Sequence, residues 1–70
     1  MNIILTKHAK KRLRERGIKI SWIRETVEMP EYVVKKDNKK ETHKRVGNKF
    51  LKVVYIKEDN FIKIISVMWK

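Results

Sequence analysis

The chain has no cysteine, a single proline and only two glycines among its 70 residues. Without cysteine it can form neither a disulfide nor a thiolate metal site, so packing and hydrogen bonds alone must stabilise its core. No apolar run approaches the length of a membrane span, and Asn2–Leu5 is too short for the apolar part of a signal peptide. We therefore expect a cytoplasmic location and no membrane association.

Acidic residues are also scarce. Eight Asp and Glu stand against nineteen Lys and Arg, which gives a formal net charge of +11. A charge of this size and sign attracts polyanions, above all nucleic acid and then acidic proteins. The hydrophobic content of 41% is too high for a disordered chain. Because the chain is near the lower size limit for a stable core, we predict one domain over residues 1–70.

The N-terminal part of the sequence predicts a hairpin of two helices. Thr6 can cap the first helix, which runs to Arg16 and stops at Gly17. Ser21 can cap the second helix, which Pro30 ends because the residue before proline disfavours helical dihedrals. Helical spacing predicts two buried stripes, one of Leu5, Ala9 and Leu13 and one of Ile20, Ile23 and Val27.

After Pro30 the apolar pattern changes to a period of two, which is typical of strands. Turn residues lie at Asp37-Asn38 and Gly47-Asn48 and again at 58–60, and the short segment Asn2–Leu5 could add an edge strand. The expected fold class is α+β, with the helix hairpin packed on a four-strand antiparallel meander. The predicted strands are Tyr32–Lys36, Glu41–Val46, Lys49–Lys57 and Phe61–Trp69.

Alternation along the two long strands assigns their faces. The side expected to pack on the helices carries Leu51, Val53 and Tyr55 from one strand and Ile62, Ile64, Ser66 and Met68 from the other. The opposite side is apolar but punctuated by lysine, with Trp69 and Lys52 on it. A monomer rarely leaves so large an apolar face open. We expect a dimer mate, a partner protein or stacked bases to cover it.

Several motifs resemble a known family. They are His8-Ala9-x-x-Arg12-x-x-Glu15-Arg16-Gly17-Ile18, then Trp22-Ile23, Gly47-Asn48 before Leu51-x-Val53-Val54-Tyr55, and the ending 64–69. They are similar to small bacterial and archaeal domains related to the RelE- and BrnT-type toxins of toxin–antitoxin pairs, although Ser66 stands where threonine is expected. The resemblance implies a RelE/BrnT-like α+β fold, a toxin that cleaves messenger RNA, and a small acidic antitoxin as partner.

Metal-free RNA cleavage needs a base for the 2′-hydroxyl proton, cations for the phosphoryl oxygens and an acid for the leaving 5′-oxygen. His8, Arg12 and Arg16 form one helical stripe, with Arg16 turned toward the buried side. The helix dipole and nearby lysines favour a neutral His8, which could be the base, while Arg12 would hold phosphate. Lys44, or Arg45 on the opposite face of the same strand, would complete the predicted catalytic set where that strand meets the stripe.

Structural roles compete for the same residues. His8 could be a boundary histidine that only packs and forms hydrogen bonds. Arg12 could pair with Glu15 or Glu28, and Arg16 with Glu25 or Glu28, because an unpaired inward-facing cation is costly. Lys44 could belong to a solvated, edge-protecting strand.

Other cations and rings could bind the nucleic acid itself. Lysines on the solvent side of the first helix would attract its backbone. His43 and Arg45 should share the sheet face opposite Lys44, and Trp69 could stack a base, whereas Tyr55 is expected in the core. The predicted nucleic-acid-binding residues are Lys7, Lys11, His43, Arg45, Lys52 and Trp69.

The sequence supports two functional hypotheses. The first is a metal-independent ribonuclease toxin that acts on RNA or on the ribosome and is paired with a small acidic antitoxin. The second is a non-catalytic module that binds nucleic acid or an acidic protein through the outer face of the sheet. A homodimer through that face is a further expected assembly. Two separated histidines and few acids make a poor metal site, so neither a metal nor a cofactor is expected.

Overall fold

The computed structural model describes residues 2–70. Its elements are β1 (Asn2–Leu5), α1 (Lys7–Glu15), α2 (Ile20–Glu28), β2 (Tyr32–Lys36), β3 (Lys39–Val46), β4 (Lys49–Lys57) and β5 (Phe61–Trp69). The strands form one sheet in the order β1-β5-β4-β3-β2. The predicted antiparallel meander is confirmed, and β1 makes it a five-stranded sheet by pairing parallel to β5.

Helix α1 has the caps that its sequence predicts. The backbone N–H of Ala9 donates to Thr6 Oγ1 at 3.1 Å, which satisfies one of the free donors at the helix start. Gly17 follows the helix with φ +62°, and the N–H of Ile18 reaches back to the carbonyl of Leu13 at 2.9 Å. This arrangement closes the helix and directs Ile18 into the core.

Helix α2 begins earlier than predicted. It starts at Ile20 with Lys19 at the cap position, so Ser21 lies inside the helix and does not cap it. The earlier start places Ile20 in the first turn, where it is 56% exposed, contrary to the expectation that it joins the buried stripe. Ile23 and Val27 are buried as predicted.

A β-bulge in β5 reverses the predicted faces of its second half. Val54 pairs with Ser66, but Tyr55 pairs with Ile64, so Ile65 is an extra residue that shifts the alternation. Val67 is therefore fully buried beneath the helices. The prediction that Ser66 and Met68 face the helices is wrong; the predicted inward positions of Ile62 and Ile64 are confirmed.

The core lies between the helices and one face of the sheet. Helix α1 packs on β5 and β1, while α2 packs on β3 and β4. The buried cluster consists of Ala9, Leu13, Ile18, Ile23, Val27, Leu51, Val53, Tyr55, Ile62, Ile64 and Val67. We call the opposite side the outer face; its apolar side chains, such as Val54 and Ile56, are only half-buried. Within residues 2–70, neither helix has the length and apolar content needed to span a bilayer.

Candidate functional site

Two residues of the predicted catalytic stripe, His8 and Arg12, are joined within α1. Arg12 Nε donates to His8 Nε2 at 3.3 Å, and Arg12 Nη1 donates to Glu15 Oε1 at 3.0 Å. The ion pair of Arg12 with Glu15 is one of the structural alternatives considered for this arginine. His8 is exposed, and its Nε2 atom already accepts the bond from Arg12. His8, Arg12 and Glu15 therefore form a solvent-facing network on a single helix.

The other two predicted catalytic residues lie in separate places. Arg16 Nη1 donates to the carbonyl oxygen of Val67 at 2.7 Å. Lys44 Nζ donates to the carbonyl oxygen of Met29 at 2.9 Å and lies 3.4 Å from Glu25 Oε2. Within residues 2–70 no hydrogen bond or ion pair joins Lys44 to α1. The expected pocket between the stripe and Lys44 does not form, because α2 and not α1 lies over β3.

Trp69 is not on the outer face, where it was expected. The bulge in β5 turns its ring to the helix side, where it packs against Trp22 with ring centroids 5.8 Å apart. Arg16 likewise forms no ion pair with Glu25 or Glu28, since its guanidinium binds a β5 carbonyl instead. Both residues lie where the end of β5 packs against the end of α1.

A row of cross-strand neighbours crosses the outer face instead. Tyr32 of β2 lies opposite His43 of β3, His43 lies opposite Lys52 of β4, and Lys52 lies opposite Met68 of β5. The rings of Tyr32 and His43 stack at a centroid distance of 4.3 Å with an interplanar angle of 8°. This stack covers the imidazole, so His43 is only 4% exposed although its face of the sheet is open.

Neither ring nitrogen of His43 forms a hydrogen bond with any residue in the described part of the chain. Its nearest polar atom is Glu41 Oε1, which lies 4.0 Å from Nε2 and is too distant for a hydrogen bond. Buried polar atoms in proteins are nearly always paired. An unpaired imidazole is therefore the most unusual feature of this face.

Charged groups surround His43. Glu41 Oε1 lies 3.7 Å from Lys52 Nζ, and Glu41 Oε2 lies 3.4 Å from Lys36 Nζ. Lys70 Nζ donates to the phenol oxygen of Tyr32 at 2.7 Å. Burial lowers the pKa of His43 below 6.5; Lys70 and Lys52 lower it further, and Glu41 opposes them. The neutral imidazole is therefore favoured at neutral pH.

The cationic surface continues past this row to the end of the sheet. Lys70 Nζ lies 5.7 Å from the centroid of the Phe50 ring, and Arg45 Cζ lies at the same distance from that ring. The backbone N–H of Arg45 donates to Glu31 Oε2 at 2.8 Å, which fixes the strand beside β2. The prediction that His43 and Arg45 share the face opposite Lys44 is confirmed, and so is the position of Lys52 on the outer face; the strand pairing shows that these are the same face.

Sequence reasoning missed four members of this group, which are Tyr32, Lys36, Glu41 and Lys70. A signal for two of them was present. The two-residue turn Asp37-Asn38 pairs Lys36 with Lys39, and counting back from it places Tyr32 opposite His43 and Glu41 on the same face. The predicted start of β3 at Glu41, two residues late, concealed that register.

The solvent side of α1 forms a second basic surface. A depression of about 650 Å³ on this side is lined, among residues 2–70, by residues of this helix, including the predicted Lys7 and Lys11. Both lysines are exposed, as expected for groups that attract a polyanion. Among residues 2–70, no three His, Asp or Glu side chains are close enough together to hold a metal ion.

Comparison with known proteins gives one result. Searches of curated proteins and of solved structures returned no match. A family model does match the chain over residues 5–69, a span that contains both helices and strands β2 to β5 in full. The matched span also includes every outer-face residue around His43 except Lys70. The chain belongs to the family described as "Domain of unknown function (DUF4258)".

Proposed function

We propose that this protein is a metal-independent endoribonuclease whose active site lies on the outer face around His43. The observation that carries the proposal is the buried, unpaired and neutral imidazole of His43 among three lysines, a carboxylate and a phenol. The net charge of +11 and the resemblance to RelE- and BrnT-type toxins support RNA as the substrate.

A purely structural role explains His43 poorly. Leaving a buried polar group unpaired costs about 1–3 kcal/mol, and an apolar ring would stack on Tyr32 without that cost. The cost is reasonable for a residue whose nitrogen must be free to take a proton. Groups of this kind, with burial and nearby charges that shift the pKa, are frequent at active sites.

The proposed reaction assigns one role to each group. His43 accepts the proton of the 2′-hydroxyl as that oxygen attacks the neighbouring phosphorus. Glu41 stabilises the imidazolium that results, and Lys52 and Lys70 stabilise the charge that develops on the phosphoryl oxygens. The phenol of Tyr32, beside the Lys70 ammonium, donates a proton to the leaving 5′-oxygen. The products are a 2′,3′-cyclic phosphate and a free 5′-hydroxyl.

Substrate must open part of the cover over His43 before the reaction. The contact of Lys52 with Glu41 at 3.7 Å is too long for a hydrogen bond, so it is opened at little cost. A phosphate group that draws Lys52 toward itself would expose the imidazole edge beside Glu41. The lysines of α1 would act earlier, by attracting RNA from a distance.

The direct test is cleavage of RNA in EDTA, with a strand lacking 2′-hydroxyls as the chemical control. We expect cleavage of RNA alone, and a loss of about 10²–10⁴-fold in His43→Gln, the size of a general-base contribution. His8→Gln is the matched control and should keep its activity. If His8→Gln is inactive and His43→Gln is active, the site belongs on α1. No cleavage by the unmodified protein, with and without ribosomes, would refute the proposal.

A second candidate function is non-catalytic RNA binding. It is favoured by the spread of cations over two surfaces, α1 and the outer face, which is more than a single reaction centre needs. This candidate predicts salt-sensitive binding of RNA with no cleavage product. It also predicts that His43→Gln binds RNA as tightly as the unmodified protein does.

We also propose that a small acidic protein covers the outer face in the resting state. Two copies of this chain would bring Lys52, Lys63 and Lys70 of each into one interface, so like charges oppose the homodimer. An acidic partner with apolar side chains complements the same surface. Size-exclusion chromatography tests this argument, because a dimer that persists at low salt would contradict it.

A further inference from the structure

A recess lies at the end of the sheet, on the helix side, where the turn between the helices meets the turn between β3 and β4. Its volume is about 420 Å³. Among residues 2–70, the side chains that line it include two cationic ones and no acidic one. The residues that matter here are Arg16, Gly17, Trp22, Gly47, Lys49 and Trp69.

The two tryptophan rings of the recess are held in place by the fold. Their centroids are 5.8 Å apart with an interplanar angle of 61°, an edge-to-face arrangement. Trp69 Nε1 donates to the carbonyl oxygen of Arg16 at 2.9 Å, and the Arg16 side chain in turn holds the carbonyl of Val67. The rings are therefore positioned before any ligand arrives.

A flexible lysine side chain lies over each of these rings. Lys19 Nζ is 5.3 Å from the centroid of the Trp22 ring, and Lys49 Nζ is 5.3 Å from that of Trp69. Gly17 also borders open space, since a Cβ added there would meet no atom within 4 Å. A planar group can reach the rings by displacing two ammonium groups from cation–π contacts, which are weak at exposed sites.

We infer that this recess binds an unpaired base of the RNA strand whose cleavage is proposed above, and the inference rests on that proposed function. Bases stack on aromatic side chains regardless of sequence, and the displaced lysines can then pair with the adjoining phosphates. The lining of Arg16 and Lys49, with no acid, complements a phosphate on either side of the base.

The sheet end connects the recess with the outer face. Lys70 follows Trp69 directly, and its side chain lies over Tyr32 and Phe50 on the outer face. Lys49 and Phe50 are likewise adjacent in the chain, with Lys49 over Trp69 and Phe50 on the opposite side. A strand bound near His43 therefore meets cations and rings continuously as it passes around this end.

Both tryptophans of the chain line the recess, so intrinsic fluorescence reports on it directly. The probe is a short single-stranded 2′-O-methyl oligonucleotide, which cannot be cleaved because it lacks a free 2′-hydroxyl. We expect it to quench the fluorescence. The same strand with abasic sites should bind roughly 5-fold to 150-fold more weakly, the range given by one stacked base. Equal binding of the abasic strand, or no quenching, would overturn the inference.

Two variants sharpen the result without removing a ring. Lys49→Ala should weaken binding, whereas Lys57→Ala, at the other end of the same strand, should not. If Lys49→Ala and Lys57→Ala weaken binding equally, the effect is one of general charge and the inference is overturned. It is also overturned if an acidic peptide quenches the fluorescence as much as the oligonucleotide does. A free mononucleotide should bind far more weakly than the strand. If the protein cleaves RNA but the oligonucleotide does not quench its fluorescence, only the proposed base binding in the recess is refuted. If the oligonucleotide quenches but RNA is not cleaved, only the proposed ribonuclease activity is refuted.

Discussion

Replacing His43 with phenylalanine should make the protein more stable and inactive at once. The aromatic ring would keep the stack on Tyr32, whose ring lies 4.3 Å away and nearly parallel. It would remove two ring nitrogens that no described residue pairs with. A substitution that removes the proposed catalytic imidazole would then raise the free energy of unfolding.

The size of the effect follows from the burial of His43, which is only 4% exposed. An unpaired buried polar group costs about 1–3 kcal/mol, so His43→Phe should raise the free energy of unfolding by that amount. For a domain of this length each kcal/mol raises the melting temperature by about 4–8 °C. The exposed His8 is the matched control, and His8→Phe should change stability by less than about 0.5 kcal/mol.

The difference in free energy of unfolding between His43→Phe and the unmodified protein should also depend on pH. The pKa of His43 is below 6.5 in the folded protein, so the unfolded chain binds a proton more readily as the pH falls. Above about pH 6.5 His43 is neutral in both states and does not reduce the stability of the unmodified protein. As the pH falls from about 6.5 through the lower pKa of the folded state, the free energy of unfolding decreases. His43→Phe removes this decrease, so its advantage should grow at acid pH.

Urea unfolding at several pH values, followed by circular dichroism, measures both effects. The reasoning fails if His43→Phe is less stable than the unmodified protein at neutral pH, since the nitrogens would then have partners that the structure does not contain. It fails equally if the two proteins lose stability in parallel on acidification. His43→Leu checks that the size of the phenylalanine ring is not the cause.

Three further predictions test the fold and the basic surface. Thr6→Ala should lower the free energy of unfolding by about 1 kcal/mol, because the bond from the Ala9 N–H is lost, while Thr6→Ser should retain most of it; urea unfolding measures both. Leu51→Ala should cost about 2–5 kcal/mol and unfold much of the protein at 37 °C, whereas Ile4→Ala, at a half-exposed position, should cost far less by the same measurement. Lys11→Ala should weaken RNA binding evenly across sequences and reduce the logarithmic salt dependence by about one, as titrations at several salt concentrations would show.

Much of the fold is readable from the sequence because local signals agree with the global arrangement. Thr6, Gly17 and the turn at Gly47 are each local signals that need no knowledge of the tertiary structure. The bulge in β5 is not readable, because residues 61–69 are largely apolar on both sides. An apolar strand of this kind carries no alternation to fix its register, so a one-residue shift leaves no trace in the pattern. Trp69 was assigned to the wrong face for that reason.

The candidate site was only partly predictable. Alternation predicts that His43 and Arg45 share a face and that Lys52 lies on the outer face, but only the strand pairing brings them together, and their approach to Lys70 depends on where the last strand ends. Helical spacing alone predicts the stripe on α1, whereas cross-strand neighbours depend on register. The expected meeting of Lys44 with that stripe required knowing which helix covers β3, and the hairpin pattern does not specify that choice.

The pairing of β1 with β5 gives the domain a late folding step. Asn2 lies opposite Phe61, and the N–H of Thr6 donates to the carbonyl of Ile64 at 3.1 Å, so these contacts join the two ends of the sequence. Contacts of such long separation form slowly because a large loop must close first. On the ribosome, α1 must wait for β5 before it can bury Ala9 and Leu13. The recess at Trp69 is completed in the same step, so a nascent chain cannot use it before β5 has been synthesised and has paired.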